Sequence, residues 1–141
     1  MKKYEYDDTV AIGDCAYRAF GETLEELFVN AGLAAMECMV DLDTVDAEQE
    51  REIELSADSE SDLLYEWLEE IVYLKDAENI FLTDFQIEFL DGNRKLKAKA
   101  RGETINPEKH GINADVKAVT MYRFDLKKME KGWEAFIVLD L

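Results

Sequence analysis

The nine residues from Trp133 to Leu141, WEAFIVLDL, constrain the fold of this chain more than any other segment. In an extended strand Trp133, Ala135, Ile137 and Leu139 fall on one side, and Phe136 and Val138 on the other. A strand apolar on both sides belongs in the middle of a sheet that is covered twice. Yet this one ends with Asp140 beside the α-carboxylate of Leu141. If both charges are buried there, they repel in a low dielectric and need something positive between them. Oxygen-only donors suit a hard divalent cation, Ca²⁺ or Mg²⁺, with Ca²⁺ the more tolerant of irregular geometry. The residues alone leave open a second arrangement, a frayed end with Asp140 solvated.

The rest of the chain supplies partners for that strand. Residues 3–8 and 14–20 are expected as short strands separated by a turn around Gly13, and Gly21 breaks the chain. Thr23 and Glu26 have the spacing of a capping box, and Leu24, Leu27, Phe28, Ala31, Ala34, Ala35 and Met39 recur at helical steps behind it. After an acidic loop over 41–49, residues 51–56 alternate as a half-buried strand. A second helix is expected from the Ser59/Asp62 capping spacing through Leu63, Leu64, Trp67, Leu68, Ile71 and Leu74, with Glu66, Glu69 and Glu70 as a solvated face. Phe85, Ile87 and Phe89 then alternate with polar residues; a turn over 91–93 leads to Leu96, Ala98 and Ala100, alternating with Lys95, Lys97, Lys99 and Arg101. That is a hairpin with one dry face, whose basic strand pairs with Glu88 and its neighbours. A loop over 105–115 leads into a strand over 116–126, with Val116, Ala118, Tyr122, Phe124 and Leu126 on one face, and a turn near Glu130 to Gly132 returns the chain. The fold class expected is α+β, two helices packed with mixed or antiparallel sheets, in a single domain over 1–141.

Charge narrows the partners. Of 141 residues 33 are acidic and 16 basic, giving a net charge of −17, and such a chain does not hold nucleic acid by itself, since that affinity comes from Lys and Arg. Cations or basic protein surfaces are the expected partners. Residues 41–79 hold fifteen acids against Arg51 and Lys75, whereas Arg94, Lys95, Lys97, Lys99 and Arg101 cluster. The two cysteines, Cys15 and Cys38, lie in apolar surroundings without CxxC spacing and are expected as buried thiols; an apolar content of 48% makes a disulfide unnecessary for folding. With no apolar signal segment and no long apolar run, the expectation is a soluble, cytoplasmic monomer with no membrane contact.

Most catalytic patterns are missing. The lone histidine, His110, is flanked by Lys109 and Gly111 and is expected to be a surface or hydrogen-bonding residue rather than a general base. Asp41, Asp43 and Glu52 have calcium-loop spacing, but Asp46 stands where such a loop needs glycine and Val45 where it needs an oxygen donor, so an EF-hand is excluded.

Six segments, in order and spacing, resemble the archease family: Asp14 to Phe28 (DCAYRAFGETLEELF), Leu63 to Glu70 (LLYEWLEE), Lys97 to Glu103 (KAKARGE), Glu108 to His110 (EKH), Val116 to Thr120 (VKAVT) and Val138 to Leu141 (VLDL). The resemblance implies an accessory protein, not itself a ligase, that activates the GTP-dependent tRNA-splicing RNA ligase by promoting its guanylylation and multiple turnover. RNA would be met only through the ligase. It also implies a cation held at positions matching Asp14, Asp140 and Leu141, and a lysine tied to activation that matches Lys117. The chain departs from the family where His and Thr usually precede the aspartate, having Ala11 and Ile12, and where Asp115 replaces a common Glu. Two other readings are a general chaperone or adaptor for basic RNA-processing proteins with a structural cation, and a metal-dependent hydrolase using Asp14 and Asp140.

Overall fold

A computed structural model describes residues 2–8 and 14–141. Strand β1 (Tyr4–Tyr6) leads to β2 (Asp14–Gly21), α1 (Leu24–Met39), a short 3-10 turn (Leu42–Thr44), β3 (Gln49–Ser56), α2 (Glu60–Glu78), β4 (Ile80–Leu90), β5 (Lys95–Thr104), β6 (Ala118–Val119), β7 (Asp125–Met129) and β8 (Gly132–Asp140). The expected turn at Gly13 lies outside the described residues.

The strands form two sheets. One is ordered β1-β2-β8-β6, with β7 also paired to β8; the other is ordered β3-β5-β4. All their pairings are antiparallel. Helix α1 packs against β2 and β8 of the first sheet and β4 of the second, and against α2, so the helices lie between the sheets. This is the expected α+β class.

Both helices start where their caps predict. The Glu26 amide donates to the Thr23 hydroxyl at 3.1 Å, and Glu26 Oε2 accepts from the Glu22 amide at 3.2 Å. The Asp62 amide donates to Ser59 Oγ at 3.1 Å. The Glu26 and Asp62 amide bonds each satisfy a donor that the first helical turn leaves unpaired. Gly21 is required by crowding, since a Cβ there would lie 2.3 Å from the Leu27 backbone nitrogen.

The helical stripes meet in one core. Trp67 is fully buried and its indole N–H donates to the Phe28 carbonyl at 3.0 Å, while the buried Tyr17 hydroxyl donates to Ala31 O at 2.9 Å. Burying these rings with their polar atoms satisfied makes them costly to remove, about 3–5 kcal/mol for a large aromatic truncated to alanine.

Strand β8 is central, between β2 on one side and β6 and β7 on the other. Ala135, Ile137 and Leu139 join the main core, and Phe136 and Val138 form a smaller cluster with Ala16 on the opposite face. The two-faced reading of this strand is therefore correct. Strand β5 is also central, and its basic ladder is matched on both sides: Lys97 faces Glu54 and Glu88, and Arg101 faces Glu50 and Asp84. Ion pairs form with β3, Lys97 to Glu54 at 3.5 Å and Arg101 to Glu50 at 3.3 Å. Lys97 and Arg101 are thus matched by carboxylates on both flanking strands.

Two expectations need correction, and an alternative that the sequence left open is resolved. The segment 116–126 is not one strand, because a turn at Met121–Phe124, closed by the Phe124 amide on Met121 O at 3.2 Å, separates β6 from β7. Tyr122 is consequently exposed instead of sharing a face with buried Val116. Cys15 and Cys38 are not free thiols but a disulfide with a Cα separation of 6.6 Å, because packing α1 on β2 brings two residues 23 apart in sequence within bridging range. Asp140 is exposed and Leu141 half-buried, since the two-faced burial of β8 stops at Leu139.

A carboxylate pair at the end of the central strand

Antiparallel pairing sets Asp14, the first residue of β2, directly opposite Asp140, the last of β8. Directly opposed residues share a face, so both carboxylates project from the side away from the main core, in one row with Ala118 of β6, which also pairs with Asp140. Beneath that row lie Ala16 and Val138, again opposite each other. Two of the metal positions expected from sequence, 126 residues apart along the chain, thus become neighbours through the β2–β8 ladder.

Leu141 follows at the end of β8, packed against the main core. Lys117 stands on the neighbouring strand edge, its amide donating to the Asp140 carbonyl at 2.8 Å, and its side chain is exposed. Thr120 closes the other end of this connection, with its amide at 3.1 Å and its hydroxyl at 2.9 Å from the Val138 carbonyl. The V-K-A-V-T segment is therefore hydrogen-bonded to the last residues of β8 through both Lys117 and Thr120.

The ladder places the exposed Asp14 and Asp140 side by side, two oxygen donors open to solvent, where a cation could keep part of its water shell. That chemistry fits a hard divalent cation. Among the described residues no group of three or more His, Cys, Asp and Glu side chains gathers in a way that could hold a metal ion.

The segment before Lys117 is held from below. Lys75, 7% exposed in its side chain, reaches Asp115 Oδ1 at 2.6 Å and Asp76 Oδ1 at 2.5 Å, and donates to the Val116 carbonyl at 2.8 Å. Burial alone pulls this ammonium's pKa down, but the hydrogen bonds to Asp115 and Asp76 outweigh it and the net shift is upward. Sequence reading placed Lys75 only as a lone cation in an acidic stretch. Its spacing of four from Ile71 on the apolar stripe was the available signal that it points inward.

A second polar cluster fixes the loop that leads to this segment. His110 is buried, its Nδ1 accepting from the Asn106 amide at 2.9 Å and its Nε2 lying 2.8 Å from Glu103 Oε1. The Asn106 bond requires a lone pair on Nδ1, so the proton sits on Nε2 and points to Glu103. Glu103 also accepts from the Asp46 amide at 2.9 Å and pairs with Lys109 at 2.9 Å. His110, the Asp46 amide and Lys109 together hold its carboxyl at about 2. With both ring nitrogens engaged, His110 is a structural hydrogen-bonding residue. The acidic stretch 41–52 is likewise no calcium loop: Asp41 caps the 3-10 turn, accepting from the Asp43 amide at 3.1 Å, and Gln49 already begins β3.

No helix among the described residues is long and apolar enough to cross a membrane.

Comparison with known proteins accounts for the whole chain. The profile of the Archease protein family matches residues 4–141. The chain is 38% identical to the protein archease of Methanosarcina mazei, covering 99% of this chain and 97% of that one. It is 39% identical to the protein archease of Thermococcus kodakarensis, covering 100% of both. The solution structure of Methanobacterium thermoautotrophicum protein 1598 superposes with a TM-score of 0.85 at 33% identity, over 100% of each chain. The crystal structure of a Thermotoga maritima archease, described as a possible chaperone, shares the fold with a TM-score of 0.64 at 18% identity, over 93% of each chain. On sequence and fold alike, the chain belongs to the Archease protein family.

Proposed function

We propose that the protein is an accessory factor of tRNA splicing that activates the GTP-dependent RNA ligase, promoting guanylylation and multiple turnover, with a divalent cation, Ca²⁺ or alternatively Mg²⁺, held by Asp14, Asp140 and Leu141. The observation that carries this reading is the convergence of Asp14, Asp140 and the Lys117 backbone at one end of the first sheet. When bound, the cation supplies local positive charge that offsets the two facing carboxylates and can polarise a phosphate oxygen. The chain's own contribution is positional: the β2–β8 ladder fixes the carboxylates, and the Lys117 amide bond to Asp140 O couples the lysine's backbone to the same strand. The exposed Lys117 ammonium is then free to reach a partner surface. A net charge of −17 favours rapid, salt-sensitive encounter with a basic RNA-binding enzyme.

Lys117→Ala tests the division of labour. It should impair ligase activation while leaving cation affinity intact; normal activation by that variant would remove Lys117 from the mechanism. The same net charge also favours a second reading, an adaptor or chaperone shielding basic clients, in keeping with the description of the Thermotoga relative as a possible chaperone. Broad client capture with indifference to Asp140→Asn would favour that reading over ligase activation.

A further inference from the structure

The outward face that carries Asp14 and Asp140 also carries a cationic cluster. Two residues along each strand come Ala16 and Val138, and two further on, Arg18 and Phe136, again directly opposed. At 3.4 Å per residue the Arg18 row stands about 14 Å along β2 from the carboxylate pair. The guanidinium of Arg18 lies 4.9 Å from the Phe136 ring centroid, and that of Arg123, arriving from the turn before β7, lies 4.7 Å from it. With Lys127 they line a hollow of about 240 Å³, which Asp125 and Glu134 also border.

The charges here are not all spent on one another. Arg18 pairs with Asp7 at 3.2 Å and Lys127 with Glu134 at 3.7 Å. Arg123 forms no ion pair among the described residues. A guanidinium resting against an aromatic ring keeps the N–H groups on its edge available to an oxyanion. The backbone adds an independent sign. Arg123 has φ 54°, a left-handed conformation that glycine adopts freely and arginine does not. Strain retained at a turn that delivers a cation to a hollow points to a use for that cation.

We propose that Arg123, with Arg18 and Lys127, forms a phosphate-binding site over Phe136, taking a single phosphoryl group, either free phosphate or the terminal phosphate of a nucleotide. The planar, edge-on donors match a tetrahedral oxyanion, the hollow has room for one such group, and the chain's strong negative charge repels an extended polyanion. The site goes beyond ligase activation and needs no cation at Asp14 and Asp140.

The test is a titration of the full-length, ¹⁵N-labelled protein in EDTA at low ionic strength, following arginine Nε–H resonances by NMR. The probes are inorganic phosphate, adenosine 5′-monophosphate and adenosine. Saturable shifts with both phosphates and none with adenosine are expected. Arg123→Gly should weaken phosphate binding at least tenfold while the thermal midpoint stays the same or rises, because glycine suits that backbone; Arg18→Gln should weaken it as well. At least tenfold tighter binding of the monophosphate identifies a nucleotide's terminal phosphate as the source, and equal binding identifies free phosphate. Absence of saturable shifts, equal shifts with adenosine, or unchanged binding in Arg123→Gly would overturn the proposal.

Discussion

Asp14 and Asp140 face each other across the β2–β8 ladder, both exposed, immediately after five consecutive buried residues of β8. Like charges directly opposed on a sheet destabilise it by a few tenths to about 1 kcal/mol. The ladder thus ends on a built-in repulsion that a bound cation would relieve.

Asp140→Asn should therefore raise the thermal midpoint slightly in EDTA and weaken Ca²⁺ binding at least tenfold, with Asp14→Asn behaving alike. Calorimetric titration and melting with and without Ca²⁺ would check both. Unchanged affinity in both variants would remove the pair as a cation site.

Lys75 links α2 to the segment that precedes Lys117, through Asp115 and the Val116 carbonyl. Lys75→Met keeps much of the buried stem but loses those bonds, at a cost of about 1 kcal/mol. Exchange of the Lys117 amide, bonded to Asp140 O, should quicken about tenfold. Unaltered exchange would show that Lys75 does not anchor this segment.

Glu103 has its carboxyl held at about 2 by His110, the Asp46 amide and Lys109. A depressed carboxyl pKa stabilises the fold above the unfolded value of about 4.3, and that contribution is lost as pH falls toward 2. Urea midpoints should drop over that window in the native protein, and Glu103→Gln should be destabilised at neutral pH but show a shallower acid decline. Parallel pH profiles for the two proteins would contradict this role.

The Cys15–Cys38 bond closes a loop with a sequence separation of 23, for which chain entropy suggests about 3 kcal/mol. Reductant, or a Cys15→Ser/Cys38→Ser double variant, should lower the unfolding free energy by that order. Because Cys15 adjoins Asp14, Ca²⁺ affinity should also fall. Equal melting curves under oxidising and reducing conditions would contradict the structural role of the bond.

What could be read from sequence were features encoded over a few residues. The Thr23 and Ser59 caps need only a spacing of three, and the centrality of β8 follows from alternation within nine residues. The charge pairing of β5 was legible for the same reason, although its ion pairs form with β3 rather than with Glu88. What escaped depends on tertiary packing. Nothing local brings Cys15 to Cys38 or Lys75 to Asp115. The break between β6 and β7 was hidden because Met121–Phe124 contains no Gly, Pro or Asn, and Arg123 takes the left-handed turn position itself. Whether Asp140 shares the burial of its strand could not be read locally, and burial ends one residue before it. The pairing of Asp14 with Asp140 came from family resemblance, and the strand register now supplies its physical basis.

The most direct measurement is the rate of guanylylation of the cognate GTP-dependent RNA ligase, with GTP and its metal cofactor, with and without substoichiometric amounts of this protein. Marked acceleration, lost in Asp140→Asn and Lys117→Ala, is the predicted result. No acceleration of an active ligase by the folded protein would contradict ligase activation and leave the adaptor reading in its place.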